Sequence, residues 1–342
     1  MKPFTGKKNL TPILTLVALT IMAALMLTGC RKEGGGSISS DEGGSSATGK
    51  NGKTVVGFSQ MENDGPWRIA ETNSMKNEAA KRSDKFQLVV TDAQKQTSKQ
   101  VSDVEDLIAR RVGAIFLAPR EFEGLAPAIQ AAKRAKVPVF LIDREAAGTP
   151  GVDYVTVLKS DFVEQGRRAA EWLANHTNGK AAIVELIGTS GSSVASDRKK
   201  GFMNEIAKHP DMKIIESQDG DFSRAKAQNV MQNIIQAKGK QITAVYAHND
   251  EMALGAIQAL KAAGMQPGKD VLIVSIDGER AALEAIIRGE MNASVESNPR
   301  FGPLAFDTLE KYLRGEKLPP QIILQDRFFD ASNAQQFLNE AY

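Results

Sequence analysis

Apolar residues come in short, unbroken runs, each followed by a longer amphipathic stretch. The runs at 54–59 (TVVGFS), 87–91 (QLVVT), 114–118 (AIFLA) and 139–142 (VFLI) read as strands. They are continuous rather than alternating, the pattern of a parallel sheet buried on both faces. Between and after them, 67–82, 100–111 and 125–135 read as helices. In the second of these, Val101, Val104, Leu107 and Ile108 form one face. Beyond about residue 158 the rhythm restarts. Strands are predicted at 181–187, 213–216, 244–246 and 272–276, and helices at 166–176, 193–208, 224–237, 250–263 and 279–288. Asp250 is the expected N-cap of the 250–263 helix and Gly264 its C′ residue. Two successive sets of strand–helix units predict an α/β chain of two doubly wound parallel-sheet lobes.

Ligands of such sheets bind beyond the carboxyl ends of the strands, and two facing lobes would bind in the cleft between them. The residues at these ends are Gln60 through Arg68, Asp92, Pro119 and Arg120, Asp143 and Arg144, Gly188 through Ser193, His248 to Asp250, Asp277 and Gly278, and Glu296. This set is rich in carboxylates, amides and guanidinium groups. It holds no His/Cys cluster suited to zinc, and the GTSGSS stretch at 188–193 lacks the lysine of a phosphate-binding P-loop and the spacing of GxGxxG. No cofactor is therefore expected. Donors and acceptors beside an aromatic plate suit a polyhydroxylated small molecule. Within Asp64-Gly65-Pro66-Trp67-Arg68, proline fits a helix start, the indole offers a face, and the guanidinium offers a planar fork. The bland readings are Trp67 as a packing staple, Arg198 as part of a wet helix face with Lys199 and Lys200, and Glu296 as part of a hinge. Asn249 is read as free for ligand contact, His248 as structural, and Trp172 as core.

The amino terminus adds a location. Lys2, Lys7 and Lys8 precede an apolar run at 13–27, which is short for a bilayer span, and then Leu-Thr-Gly-Cys ends at Cys30, the single cysteine. An intrachain disulfide is excluded. The context resembles the bacterial lipobox, in which the cysteine is lipidated after removal of residues 1–29. Residues 31–53 are rich in Gly and Ser and read as a tether. The three lysines of the leader account for the basic balance: the whole chain is +2 and the remainder is −1. That charge supports no nucleic-acid role.

In order along the chain, GFSQ, WRIAETN, IFLAP, LIDR, DRKKGF, SQDGDFSR, YAHNDEM, SIDG and ASVE resemble the type I periplasmic sugar-binding proteins, the receptors of ABC transporters. The likeness is fullest to the galactofuranose-binding branch. The resemblance implies lobes at 54–158 plus 298–327 and at 159–297 plus 328–342, joined by three crossovers. It implies a monomeric, non-catalytic receptor, lipid-anchored outside the cell membrane, that hands a monosaccharide to an ABC permease. Its ligand-binding positions fall on Asp64, Gly65, Pro66, Trp67, Arg68, Asp143, Arg144, Arg198, Asn249, Asp277 and Glu296. The galactofuranose branch carries Glu-Ser-Gly-Trp-Arg where this chain has Asp64-Gly65-Pro66-Trp67-Arg68, a difference that bears on which sugar fits. A sugar receptor feeding a chemoreceptor or sensor kinase is the alternative. An extracellular glycosidase using Asp143, Asp277 or Glu296 is a remote one, and a repressor core would need a DNA-binding domain in place of the leader.

Overall fold

The computed structural model describes residues 52–342; Cys30, the leader and most of the tether lie outside them. The first set of elements is β1 (Thr54–Gln60), α1 (Pro66–Lys81), β2 (Phe86–Asp92), α2 (Thr97–Ala109), β3 (Ala114–Leu117), α3 (Ala126–Arg134), β4 (Val139–Ile142) and β5 (Thr156–Ser160). The second is α4 (Phe162–His176), β6 (Lys180–Ile187), α5 (Ser193–Ile206), β7 (Asp211–Asp219), α6 (Arg224–Lys238), β8 (Ala244–Ala247), α7 (Asp250–Ala262), β9 (Leu272–Asp277), α8 (Arg280–Ile287) and β10 (Ala293–Glu296). The chain ends with α9 (Gly302–Leu313), β11 (Gln321–Leu324), β12 (Phe328–Asp330) and α10 (Ala334–Phe337).

These strands form two six-stranded sheets with matching order, β2-β1-β3-β4-β5-β11 and β7-β6-β8-β9-β10-β12. Every pairing is parallel except that of β12 with β10. The unbroken apolar runs are explained by the two faces. On β3 and β4, Phe116, Phe140 and Ile142 pack with Phe301 and Phe306 under α1 and α9. The alternate residues Ile115, Leu117, Val139 and Leu141 pack with Leu107 and Ile129 of α2 and α3. The period of two is present, but both phases are buried.

Several elements escape the sequence pattern. The terminal strands β11 and β12 are short, and β11 alternates between exposed and half-buried positions at an edge. β5 carries Lys159, whose ammonium bonds Glu145 rather than breaking the strand. β7 runs to Asp219, three residues past the predicted end, pairing Ser217, Gln218 and Asp219 with Glu185, Leu186 and Ile187 of β6. The cap of α7 also differs. Asn249, not Asp250, is the N-cap, its side-chain oxygen accepting from the Met252 N–H at 3.0 Å. Asp250 is buried beneath it and accepts from Ser275, Ser294 and the Glu279 N–H.

The chain passes between the sheets three times, after β5, after β10 and between β11 and β12. Asp326 ties all three together. It accepts from Ser160 Oγ at 3.1 Å, from the Asn298 N–H at 3.4 Å and from Gln165 Nε2 at 2.8 Å. Burial raises its pKa to about 6, against the pull of these donors. The folded state therefore holds this proton more tightly than the unfolded chain, whose carboxylate titrates near 4. The protonated group's contribution is complete below that value and is lost as pH rises through about 6. Urea unfolding of wild type and Asp326→Asn at pH 4, 5, 6 and 7 checks this. Wild type should lose up to about 3 kcal/mol relative to the variant across that window; a difference that stays flat refutes it.

Candidate functional site

Both sheets point their carboxyl ends at one cavity. It is lined from the first sheet by Glu62, Gly65, Pro66, Trp67, Arg68, Asp143 and Arg144. The second sheet supplies Val194, Arg198, Phe222, Asn249, Glu251, Asp277 and Glu279, and the second crossover supplies Ser297. The lobes also touch at the rim, where the Phe122 N–H donates to the Gly191 carbonyl at 3.0 Å and the Glu145 N–H to Ser193 Oγ at 3.0 Å.

Matching strand orders place matching side chains opposite each other. In the first lobe, Arg68 on α1 bonds Asp143, just past β4, at 2.6 Å. In the second, Arg198 on α5 faces Asp277, at the end of β9, at 3.4 Å. Both acids have positive φ, 65° for Asp143 and 142° for Asp277, a conformation that costs about 1–3 kcal/mol in a non-glycine residue. All four side chains are buried, with relative exposures of 6% for Arg68 and 3% for Arg198.

The arginines are positioned from behind. Gln60, the last residue of β1, donates to Glu71 at 2.8 Å, and Glu71 accepts from Arg68 at 2.8 Å. Burial raises the Glu71 carboxyl to about 7, even beside Arg68. Arg198 donates through Nε to Gln165 at 3.0 Å and through a terminal nitrogen to the His248 carbonyl. Gln165 in turn binds Asp326 and the Glu296 carbonyl, so the cavity is wired to the crossovers. Burial pushes the Asp277 carboxyl well up, with Arg198 pulling the other way.

Arg144 differs from the other two guanidinium groups. One terminal nitrogen donates to the Arg120 carbonyl at 2.9 Å, and its Nε lies 3.6 Å from Asp143, beyond hydrogen-bond range. The Nε is buried with no hydrogen-bond partner among the described residues. Burial first, and then the charge of Arg68, pull its pKa down to about 9. It stays charged at neutral pH and carries unspent donors. Phe222 closes the space above, with the Arg144 guanidinium 5.3 Å and that of Arg198 5.9 Å from its ring centre.

Trp67 is a packing staple that also lines the cavity. It packs in the first lobe's core near Phe301, ring centres 6.2 Å apart, and its indole N–H donates to the Ser297 carbonyl at 2.8 Å. One ring face carries the Arg68 guanidinium at 4.4 Å. Trp172 packs against the second lobe and stacks on His176 at 3.7 Å, away from the cavity.

The cavity brings together Gly65, Pro66, Trp67, Arg68, Asp143, Arg144, Arg198, Asn249 and Asp277. It leaves out two positions singled out in the sequence. Asp64 is largely exposed and pairs with Lys95 at 3.0 Å. Glu296 lies in the crossovers, where Arg327 takes both of its oxygens at 2.7 and 3.0 Å. Asn249 lines the cavity with its oxygen capping α7 and its amide nitrogen donating to the Phe222 carbonyl at 3.4 Å, which leaves one amide N–H to spare. His248 is fully buried, 3.3 Å from Glu185, and lines nothing. Six cavity residues were not among the expected ligand positions: Glu62, Val194, Phe222, Glu251, Glu279 and Ser297. No cluster of His, Cys, Asp and Glu suited to a metal ion occurs among the described residues.

Fold and cavity together define a two-lobed binding protein, and the chain belongs to the periplasmic binding protein family, whose domain matches residues 56–317. It is 45% identical over 273 residues to the galactofuranose-binding protein YtfQ of Escherichia coli K12, covering 79% of this chain and 85% of that one. The crystal structure of a galactofuranose-binding protein superposes with a TM-score of 0.81 at 43% identity, covering 84% of this chain and 98% of that one. The arabinose ABC transporter's binding protein from Shewanella sp. ANA-3, solved bound to α- and β-L-arabinofuranose, also gives 0.81, at 41% identity, covering 84% and 95%.

Proposed function

We propose that this protein is the receptor of an ABC sugar importer, taking one neutral monosaccharide, galactofuranose or a similar furanose, into the interlobe cavity. The observation that carries the reading is Arg144, a buried guanidinium with an unused donor between two Arg–Asp pairs. A buried unpaired donor is costly unless a ligand completes it. A sugar hydroxyl both donates and accepts, so it can join an arginine to a neighbouring carboxylate. Asp143 and Asp277 supply acceptors, Arg68, Arg144, Arg198 and the Asn249 amide supply donors, and Trp67 and Phe222 flank the ring. The relatives named for galactofuranose and arabinofuranose support the furanose preference.

In this reading Cys30 carries the lipid, residues 31–53 tether the lobes to the outer face of the membrane, and the sugar-loaded, closed form is what the permease receives. The lobes close to the extent that sugar prefers the closed state.

Isothermal titration with galactofuranose, galactopyranose, ribose, xylose and arabinose tests the proposal. One furanose-forming sugar should bind at a single site with micromolar or tighter affinity. Absence of heat from every sugar, with the protein folded, rejects it. Binding of a pyranose alone would keep the receptor and place the difference in the Asp64–Pro66 segment.

A further inference from the structure

The structure assigns Glu279 as a residue that reads one hydroxyl of the bound sugar and thereby helps to set which sugar this chain accepts. The inference rests on the monosaccharide reading of the cavity and extends it to a position that the sequence motifs pass over. Glu279 lines the cavity at the start of α8, with a relative exposure of 2%. Its backbone is fully used: the N–H donates to Asp250 at 2.8 Å, and the carbonyl accepts from the Leu283 N–H at 3.0 Å. Its side chain makes no capping bond to the helix, and its Oε1 is buried with no hydrogen-bond partner among the described residues. Its carboxyl lies within hydrogen-bond reach of Glu251, another residue of the cavity wall, so Oε1 is the oxygen left waiting for a partner.

The surroundings decide what kind of partner. Asp250, Glu251 and Asp277 all face Glu279, and Tyr342 packs close by. Burial, reinforced by these three acids, raises its carboxyl well above the usual range, toward the protonated form. A neutral carboxyl has one donor and one acceptor, as a hydroxyl does. It complements a neutral sugar. A ligand ammonium there would also lie in a cavity that already holds Arg68, Arg144 and Arg198.

The test uses the full-length protein in detergent. Wild type, Glu279→Gln and Glu279→Ala are titrated with D-galactose, L-arabinose, D-ribose, their monodeoxy derivatives and D-galactosamine, and thermal melts confirm folding. Glu279→Ala should weaken the best sugar about tenfold or more. Glu279→Gln, which keeps a donor and an acceptor, should stay within about threefold of wild type. One monodeoxy sugar should bind wild type and Glu279→Ala equally, and that identifies the hydroxyl being read. Equal affinities of wild type and Glu279→Ala for every sugar would overturn the assignment and leave a water as the partner of Oε1. Tighter binding of galactosamine than of galactose would overturn it in favour of an ammonium. No binding by wild type would overturn the sugar reading itself, and this assignment with it.

Discussion

Replacing Arg198 by alanine should weaken sugar binding at least about thirtyfold and destabilise the protein by about 3–5 kcal/mol. Two consequences meet in this side chain. Toward the cavity it is one of three guanidinium groups that a ligand can reach. Behind, it holds Gln165 and the His248 carbonyl, and it is the nearest cation to Asp277. Without it, Asp277 would be a buried acid at an unfavourable φ that had lost its ion-pair partner. Arg198→Lys should recover part of the stability, because the charge returns, but little of the affinity, because the fork that reaches Gln165, His248 and Asp277 together does not. Calorimetric titration and urea denaturation of the two variants measure both effects. Full affinity in Arg198→Ala would remove this residue from the site.

The second large effect is expected at a glycine. α4 and α5 cross backbone to backbone: a Cβ on Gly201 would lie 1.9 Å from the Val163 carbonyl oxygen, and one on Gly166 would lie 2.1 Å from the Arg198 carbonyl oxygen. Neither helix can yield without moving its main chain. Gly201→Ala should therefore cost about 3 kcal/mol, at the upper end of overpacking losses, even though alanine is the better helix former. The shift acts on the helix that carries Arg198 and on the α4 residue Gln165 that orients it, so affinity should fall as well. Thermal unfolding checks the first effect and titration the second. A variant as stable as wild type would mean that the helices can separate at no cost.

How much could be read from the chain depended on where each strand stops. The ends of β1, β4, β8 and β9 were legible, because an unbroken apolar run gives way abruptly to acids and amides. Arg68, Asp143, Arg144 and Asp277 followed from that alone. Phe222 was missed because β7 continues through the polar residues Ser217, Gln218 and Asp219, so its end and the turn beyond were placed too early. Glu279 was missed because Asp277-Gly278 reads as a complete turn, and nothing local shows that the next side chain faces inward. Asn249 took the cap expected of Asp250 and still lines the cavity: both are good caps, and only the hydroxyls of Ser275 and Ser294, from neighbouring strands, decide that Asp250 is the buried one. Glu296 was drawn into the hinge by Arg327, a partner 31 positions away that no local pattern announces. Long-range partners decided each of these cases, whereas the doubly wound architecture rested on local periodicity.

The central claim is that two Arg–Asp pairs, one from each sheet, hold a single sugar between them. A crystal structure of the protein grown with the sugar that binds it in titration tests this most directly. The expected result is one ring between Trp67 and Phe222, with hydroxyls bonded to Arg144, to both aspartates and to the Asn249 amide. A sugar bound elsewhere, or a cavity holding only water while the protein is saturated, would contradict it.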